Sequence, residues 1–304
     1  MVTPQTSPSI TVIIATYNSS QTLRLTLSSL LNQSFLDWEA WIVGDGCTDD
    51  TEKAVRSFDD SRLHWTDLGR NHGSQALPNN EGLRRARGQY VAYLGHDDLW
   101  MPHHLLALVR RMEETGAAFA HSLGARILPE GVAGCFGPPG GHRGYAHHFV
   151  PPSCWLHHRT LVDRVGYWGD PDALAWPVDT DNLLRVSRSG ASIVCCRQLS
   201  LLKFPSARFR IYSHVGEPPQ AQYWRRMQAD ARDLEHDLLL SMAETLARRQ
   251  PGDDTIKHAW KLMLHTVKRS LRRSTGELPL FRTLWKRRFQ EGRRLQRRHR
   301  GLPG

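Results

Sequence analysis

The chain has 304 residues, of which 40% are hydrophobic and 23% are charged. This length and composition fit one large folded core or two smaller ones, and they exclude an intrinsically disordered or fibrous protein. No apolar stretch reaches the roughly 20 residues that a membrane-spanning helix needs, and no basic start followed by an apolar segment marks a secretion signal.

The positive charge is concentrated near the end of the sequence. The formal net charge is +10, and Pro279–Gly304 holds nine Lys and Arg residues against the single acid Glu291. Such a basic amphipathic segment suits an anionic membrane surface or a nucleic acid, and a solvated tail with no dedicated partner is the alternative. The five cysteines form no C-x-x-C pair, which favours a reducing compartment. We therefore expect a cytoplasmic protein, peripheral at the inner face of the membrane if the tail binds lipid.

Strands and helices are predicted to alternate through the first part of the chain. Apolar runs indicate strands, and apolar residues at helical spacing indicate helices between them. The predicted strands are Ile10–Ala15, Trp38–Val43, Leu63–Trp65 and Tyr90–Leu94. The predicted helices lie near 23–31, 80–87 and 105–112, and a further helix follows a capping box formed by Asp49 and Glu52. This alternation is typical of an α/β domain with a doubly wound, mostly parallel sheet.

The pattern changes in the second half of the sequence. Residues 131–144 are rich in Gly and Pro and predict a loop or flap. A helix at Asp181–Ser189 and a strand at Ile193–Cys196 extend the α/β domain, which we expect to span residues 1–214. Apolar residues at helical spacing among Arg and Lys then predict a helical, basic region over residues 215–304.

Polar loops follow three of the predicted strands, namely T-Y-N at 16–18, G-D-G at 44–46 and G-H-D-D at 95–98. The carboxyl ends of such strands meet at one edge of a sheet, so we expect the loops to share a crevice. Asp97 and Asp98 repel each other, and a fold leaves such a pair in solvent or supplies a cation. Carboxylate oxygens suit hard divalent ions, which predicts a metal site; an N-cap at Asp98 is the alternative.

A second binding feature is predicted at the end of the second strand. Asp45 lies between two glycines that allow close approach of a flat ligand, and its carboxylate can accept a hydrogen bond from a base N–H. The ring of Tyr17 can pack on the same base. Simple turn chemistry is the alternative for Asp45.

Three stretches, in this order and spacing, resemble family 2 glycosyltransferases of the GT-A fold. They are S-I-T-V-I-I-A-T-Y-N-S-S-Q-T-L, Q-S-F-L-D-W-E-A-W-I-V-G-D-G-C-T-D-D-T and N-N-E-G-L-R-R-A-R-G-Q-Y-V-A-Y-L-G-H-D-D-L-W. The resemblance is strong over residues 8–115 and extends loosely to about residue 212. It implies an inverting transfer of a sugar from a nucleotide-diphosphate sugar to a hydroxyl of a glycan or lipid-linked acceptor. It also implies Mg²⁺ or Mn²⁺ as cofactor, and a place in the synthesis of cell-envelope polysaccharide.

The resemblance also implies roles for residues of the three loops. Thr16, Tyr17 and Asp45 match nucleotide-binding positions, with Tyr17 and Asp45 holding the base. Asp97 and Asp98 match the acidic motif that holds the ribose and the metal–diphosphate.

The catalytic base implied by the resemblance is Asp179, with the nearby Asp181 as alternative. Inversion needs one displacement, so Cys47 and Ser153 are assigned no nucleophilic role. The family pattern has Pro before T-Y-N, an acid at the first position of D-D-G and of D-x-D-D, and often a Glu beside the base. The corresponding residues here are Ala15, Gly44, Gly95 and Val178.

These departures leave two other functions open. One is a degenerate family member that binds a nucleotide-sugar without transferring the sugar. The other is a nucleic-acid-binding protein acting through the basic tail, which is disfavoured because the first 215 residues contain no recognised nucleic-acid-binding module.

Overall fold

The computed structural model describes residues 7–137, 145, 149–213 and 216–247. The basic segment Pro279–Gly304 lies outside these residues. The described strands are β1 (Ile10–Thr16), β2 (Trp38–Gly44), β3 (Leu63–Asp67), β4 (Tyr90–Tyr93), β5 (Leu99–Trp100), β6 (Phe119–Leu128), β7 (Gly131–Phe136), β8 (Trp155–His158) and β9 (Ile193–Lys203). The described helices are α1 (Ser20–Leu31), α2 (Thr51–Arg56), α3 (Ala76–Arg85), α4 (His104–Thr115), α5 (Leu161–Val165), α6 (Val178–Arg188), α7 (Ser206–Phe209), α8 (Gln220–Ala229) and α9 (Ala231–Ala247).

The strands form one sheet in the order β3-β2-β1-β4-β8-β6-β9-β5, and β7 pairs with β6 outside this path. The first four strands of that order are parallel, as predicted. The second half is mixed: β8 runs antiparallel to β4 and β6, whereas β6 and β9 are parallel. The predicted α/β class is therefore confirmed, with a parallel first half and a mixed second half.

Local sequence explains why β1 and α1 form where they do. Ile10, Ile13 and Ile14 of β1 are fully buried, as expected of a central strand covered on both faces. In α1, Leu23 and Leu27 recur at helical spacing and are also fully buried. The two elements thus place the polar turn between them at the carboxyl edge of the sheet.

The structure corrects the prediction of a loop over residues 131–144. Gly131–Phe136 forms β7, which pairs antiparallel with β6, and part of the remaining stretch lies outside the described residues. Gly131 and Gly134 have φ of 117° and 142°, a backbone conformation that glycine readily adopts. The glycines that predicted a loop therefore permit an irregular strand at the side of the sheet.

Two predicted boundaries also move. α6 begins at Val178 and not at Asp181, so Asp179 lies in its first turn. β9 continues beyond Cys196 to Lys203 because Leu199, Leu201 and Leu202 are buried within the core.

The helices after residue 215 pack against the sheet. Leu234, Leu238 and Met242 of α9 share a hydrophobic cluster with Ile127 of β6 and Leu202 of β9. The predicted helical character is thus observed as far as Ala247, and the domain boundary at 214/215 stays a prediction. None of the described helices combines the length and the apolar character required to cross a bilayer.

Candidate active site

The three polar loops meet at the carboxyl edge of the sheet. The backbone N–H of Asp45 donates to the carbonyl oxygen of Thr16 at 2.8 Å, which ties the loop after β2 to the end of β1. Nδ1 of His96 lies 3.1 Å from the carbonyl oxygen of Ala15, which ties the loop after β4 to the same strand. The predicted convergence of the loops is therefore present.

The acid pair at the end of β4 has a cation of its own. Asp98 is fully buried. Its Oδ2 accepts hydrogen bonds from the Ser153 hydroxyl at 2.6 Å and from Nζ of Lys203 at 2.9 Å. Its Oδ1 accepts the backbone N–H of Phe204 at 3.2 Å. Nζ of Lys203 also lies 3.7 Å from Oδ1 of Asp97, so this ammonium group is placed between both carboxylates.

Burial and charge act in opposite directions on this pair. Burial raises the pKa of Asp98 to about 6, and the Lys203 ammonium opposes that rise. Burial alone would lower the pKa of Lys203, but Asp98 and Asp97 more than offset this and raise the pKa above its ordinary value. Lys203 is thus protonated at neutral pH and forms a buried ion pair with Asp98.

This arrangement does not fit the predicted Mg²⁺ or Mn²⁺ ion. The described residues contain no group of three or more His, Cys, Asp or Glu side chains able to hold a metal. A Cβ added at Gly95 would lie 2.6 Å from Oδ2 of Asp98, so an acid at this position would displace the pair. A divalent ion held by the same oxygens would lie close to the Lys203 ammonium, whose positive charge repels it. Metal binding by Asp98 and Asp97 therefore stays a prediction, and it would require the Lys203 ammonium group to leave the acid pair.

The two candidate bases on α6 have different surroundings. Burial raises the pKa of Asp179 above its ordinary value, while the hydrogen bonds from Thr180 and the charge of Lys203 oppose the rise. Asp181 instead accepts a hydrogen bond from Nε of Arg185 at 2.8 Å. Asp179 is thus an acid with a raised pKa that interacts with the charge of Lys203, whereas Asp181 is engaged in an ion pair with Arg185.

The position that carries a Glu in the family is part of the core. Val178 is 9% exposed and belongs to the main hydrophobic cluster. Asp179 therefore has an apolar neighbour on the side where the family pattern has a second acid.

Aromatic side chains border the turn after β1. The ring centroids of Tyr17 and Tyr212 are 6.1 Å apart, and the Tyr212 hydroxyl lies 3.3 Å from Nε2 of His96. Tyr17 is half-buried, so its side chain is not enclosed in the core. Thr16 is buried, and its hydroxyl lies 2.6 Å from that of Ser19. Its contacts hold the turn together, and nucleotide binding by Thr16 stays a prediction.

Asp45 is held by the loop that precedes α3. Its Oδ2 accepts the backbone N–H groups of His72 and Gly73 at 3.0 and 3.1 Å, and its Oδ1 lies 2.8 Å from Nδ1 of His72. A carboxylate offers about four acceptor positions. By this count one acceptor position of the carboxylate is unused, and a donor such as the N–H of a base could take it.

Asp67 occupies the space left by the missing acid at Gly44. A Cβ added at Gly44 would lie 2.1 Å from Oδ2 of Asp67. Asp67 is exposed at the end of β3, and it accepts the backbone N–H groups of Cys47 at 2.9 Å and Gly69 at 2.6 Å. A neighbouring strand thus supplies a carboxylate close to where the family pattern has one.

Several residues of the site were not predicted from the sequence. They are Asp67, His72, Lys203 and Tyr212, and Ser153 was considered there only as a nucleophile. Lys203 carried a signal, since the run L-L-K-F-P places one charge at the carboxyl end of a buried strand. The others reach the site through contacts between distant parts of the chain, and no local sequence pattern predicts their place in it.

Sequence comparison places a known family on the first part of the chain. Residues 11–129 match Glycosyl transferase family 2. TuaG of Bacillus subtilis, whose name refers to teichuronic acid biosynthesis, is 36% identical over 115 residues, which are 37% of this chain and 45% of TuaG. WfgD of Escherichia coli, a UDP-Glc:alpha-D-GlcNAc-diphosphoundecaprenol beta-1,3-glucosyltransferase, is 28% identical over 130 residues, covering 43% and 51% of the two chains. The chain thus spans about half the length of these relatives.

Solved structures extend the similarity beyond that region. Staphylococcus aureus TarS 1–349 in complex with UDP-GlcNAc has a TM-score of 0.56 at 20% identity, covering 69% of this chain and 60% of TarS. The mannosyltransferase PcManGT of Pyrobaculum calidifontis, in complex with GDP-Man and Mn²⁺, has a TM-score of 0.52 at 17% identity, covering 88% and 84%. At these identities the likeness concerns the fold, and it confirms the predicted GT-A architecture.

Proposed function

Since the chain belongs to glycosyl transferase family 2 and has the GT-A fold, we propose that it is an inverting glycosyltransferase. It moves a sugar from a nucleotide-diphosphate sugar to a hydroxyl of a glycan or lipid-linked acceptor. The observation that carries this proposal is the meeting of the three polar loops at the carboxyl edge of the sheet. Asp179 is taken as the base because burial raises its pKa and because it interacts with the charge of Lys203.

The donor nucleotide lies along the carboxyl edge of the sheet. The half-buried ring of Tyr17 stacks on the base, whose N–H groups are accepted by Asp45 or by the exposed Asp67. Asp97 receives a ribose hydroxyl, and the diphosphate lies near Lys203. This order places the anomeric carbon towards Asp179.

Chemistry then needs one base and no covalent nucleophile. Asp179 takes the proton of the acceptor hydroxyl while its oxygen attacks the anomeric carbon opposite the leaving diphosphate. Burial raises the pKa of Cys47 to about 11, so that thiol is protonated and a poor nucleophile at neutral pH. The Ser153 hydroxyl is bonded to Asp98. Since the acid pair does not fit a divalent ion, no step is assigned to one.

The acceptor is inferred from relatives and from charge. The name of WfgD gives an undecaprenol-diphosphate-linked sugar as its acceptor. We infer a lipid-linked acceptor of the same chemical class, in cell-envelope polysaccharide synthesis at the cytoplasmic face of a membrane. The basic segment Pro279–Gly304 would bring the enzyme to that surface.

A panel of UDP-, GDP- and dTDP-sugars tests the proposal, first by thermal shift and then by release of nucleoside diphosphate with a polyprenyl-diphosphate-linked sugar. We expect one nucleotide to stabilise the protein and to be released with this acceptor, and the product to have the opposite anomeric configuration by proton NMR. Failure of every donor to bind would overturn the proposal.

The second candidate function is donor binding without transfer. Val178, an apolar core residue beside Asp179, favours it because the base lacks an acidic neighbour. Binding of one donor without release of its nucleotide, with glycan and lipid-linked acceptors alike, would favour this candidate over the transferase.

A further inference from the structure

We propose that the ammonium group of Lys203 is the resident cation of the donor site, and that the protein binds nucleoside diphosphate without a divalent metal ion. This inference rests on the proposed function and concerns the same site. It departs from the expectation of Mg²⁺ or Mn²⁺ that accompanied the family resemblance.

The position of Lys203 supports the proposal directly. Its Nζ is 2.9 Å from Oδ2 of Asp98 and 3.7 Å from Oδ1 of Asp97. Two neighbouring carboxylates repel each other, and a cation between them offsets this repulsion. Here the Lys203 ammonium is that cation. The side chain is 22% exposed, so it is not fully enclosed by the core.

The ammonium group also has donors to spare. A lysine ammonium carries three N–H donors, and one of them is used by Asp98. The remaining donors can bind oxygens of a diphosphate. Lysines bind phosphate groups in this way in other proteins, where each acts as a point charge. The Lys203 side chain would thereby link the acid pair to the donor.

The surroundings of Asp98 keep Lys203 in place. The backbone N–H of Phe204, the next residue, donates to the other oxygen of the same carboxylate. Lys203 is the last residue of β9, and the parallel pairing of β9 with β6 sets it opposite Arg126. The position of the lysine is therefore set by the pairing of β9 and by the backbone contact of the next residue with Asp98.

The missing acid at Gly95 agrees with this assignment. The pattern D-x-D-D would give three carboxylates, whereas this loop has two. With one carboxylate fewer, the loop carries one negative charge fewer. A single positive charge, that of the Lys203 ammonium, then leaves the loop with the same net charge as three carboxylates with a divalent ion. The space for the third side chain is also closed, because a Cβ at Gly95 would meet both Asp98 and Asp97.

The test uses the full chain and measures binding of UDP, GDP and dTDP by calorimetry, in EDTA and in Mn²⁺. For the nucleotide that binds, we expect the wild-type Kd in the two conditions to agree within about twofold, well below the tenfold that corresponds to 1.4 kcal/mol. Lys203→Met should raise the Kd in EDTA by about tenfold or more, because it removes a charge-assisted hydrogen bond to the diphosphate. Lys203→Arg should keep metal-free binding. Lys53→Met, which removes an exposed lysine on α2, is the matched control and should leave the Kd unchanged.

Electron paramagnetic resonance of Mn²⁺, without nucleotide, separates this inference from the proposed function. We expect wild type to leave Mn²⁺ free and Lys203→Met to gain Mn²⁺ binding that Asp98→Asn in the same background abolishes. Stoichiometric Mn²⁺ binding by wild type, or nucleotide binding that requires Mn²⁺, would overturn the inference. If no nucleotide binds under any condition the proposed function fails, and the Mn²⁺ measurement on wild type and Lys203→Arg still decides the role of the lysine.

Discussion

At the scale of single residues, Asp179 and Asp181 offer a matched pair on the first turn of α6. We predict that Asp179→Asn lowers kcat about a hundredfold or more, because an amide cannot take up the proton of the attacking hydroxyl. Asp181→Asn removes a partly exposed ion pair with Arg185 and should change kcat by less than about threefold, since such pairs contribute roughly 0–1 kcal/mol. Initial rates of the purified variants, with circular dichroism as the folding control, measure this. Equal losses in the two variants would contradict the assignment of the base.

The raised pKa of Asp179 predicts a dependence of activity on pH. Burial shifts this pKa upward from 3.8, and the base works in its ionised form. kcat should therefore fall as the pH decreases through a value above that of an exposed aspartate. A profile of kcat between about pH 4 and pH 8 covers this range. An acidic limb at the ordinary aspartate value would show that another group, or an unburied Asp179, limits the rate.

Gly95 provides a test of how tightly the acid pair is held. We predict that Gly95→Ala and Gly95→Asp both lower the free energy of unfolding, by about 1–3 kcal/mol for the added carbon. Its Cβ would lie 2.6 Å from Oδ2 of Asp98 and 3.2 Å from Oδ1 of Asp97. Gly95→Asp should be the less stable of the two because it adds a third negative charge. Urea unfolding measures the free energy of unfolding of both variants. A value for Gly95→Ala equal to that of wild type would mean that the loop accommodates the added carbon without loss of stability.

At the scale of elements, α9 is predicted to contribute to the stability of the sheet. Leu238 is 2% exposed and lies in the cluster with β6 and β9, whereas Leu240 on the same helix is 50% exposed. Leu238→Ala should lower the free energy of unfolding by about 2–5 kcal/mol through the cavity it leaves. Leu240→Ala is the matched control and should stay within about 0.5 kcal/mol of wild type. Thermal unfolding followed by tryptophan fluorescence measures both variants.

The form of that unfolding curve also tests the predicted boundary at 214/215. If the helical region is a separate unit, Leu238→Ala will melt it alone and leave a second, unchanged transition for the sheet. The shared hydrophobic cluster leads us to expect a single cooperative transition.

Elements defined by local pattern were predictable, and those defined by distant pairing were not. β1, β2 and β4 are continuous apolar runs, so their position and their polar carboxyl ends could be read from the sequence. β7 was missed because its glycines are typical of loops. The bond between Lys203 and Asp98 depends on where β9 enters the sheet beside β6, and that strand order has no local signature.

At the scale of the whole molecule, the helical region and the carboxyl edge of the sheet are connected. Nε2 of Gln220, the first residue of α8, donates to the carbonyl oxygen of Asp97 at 2.9 Å. Gln220 is fully buried, so the contact is part of the core. The Gln220 side chain therefore links α8 directly to the acid loop, across the boundary that the change in composition predicted.

The basic segment Pro279–Gly304 gives the last prediction, which concerns where the whole molecule works. Its nine Lys and Arg residues exceed its acids by eight, and each basic residue near an anionic lipid surface is worth about 1 kcal/mol. Full-length protein should therefore float with phosphatidylglycerol vesicles, and a chain ending at Leu278 should not. Vesicles of phosphatidylcholine alone are the control, and high salt should weaken the binding because it screens the charges. Equal flotation of the two chains would contradict the membrane role of this segment. If arbitrary RNA of equal charge displaced the protein from the vesicles, the partner of the segment would instead be a nucleic acid.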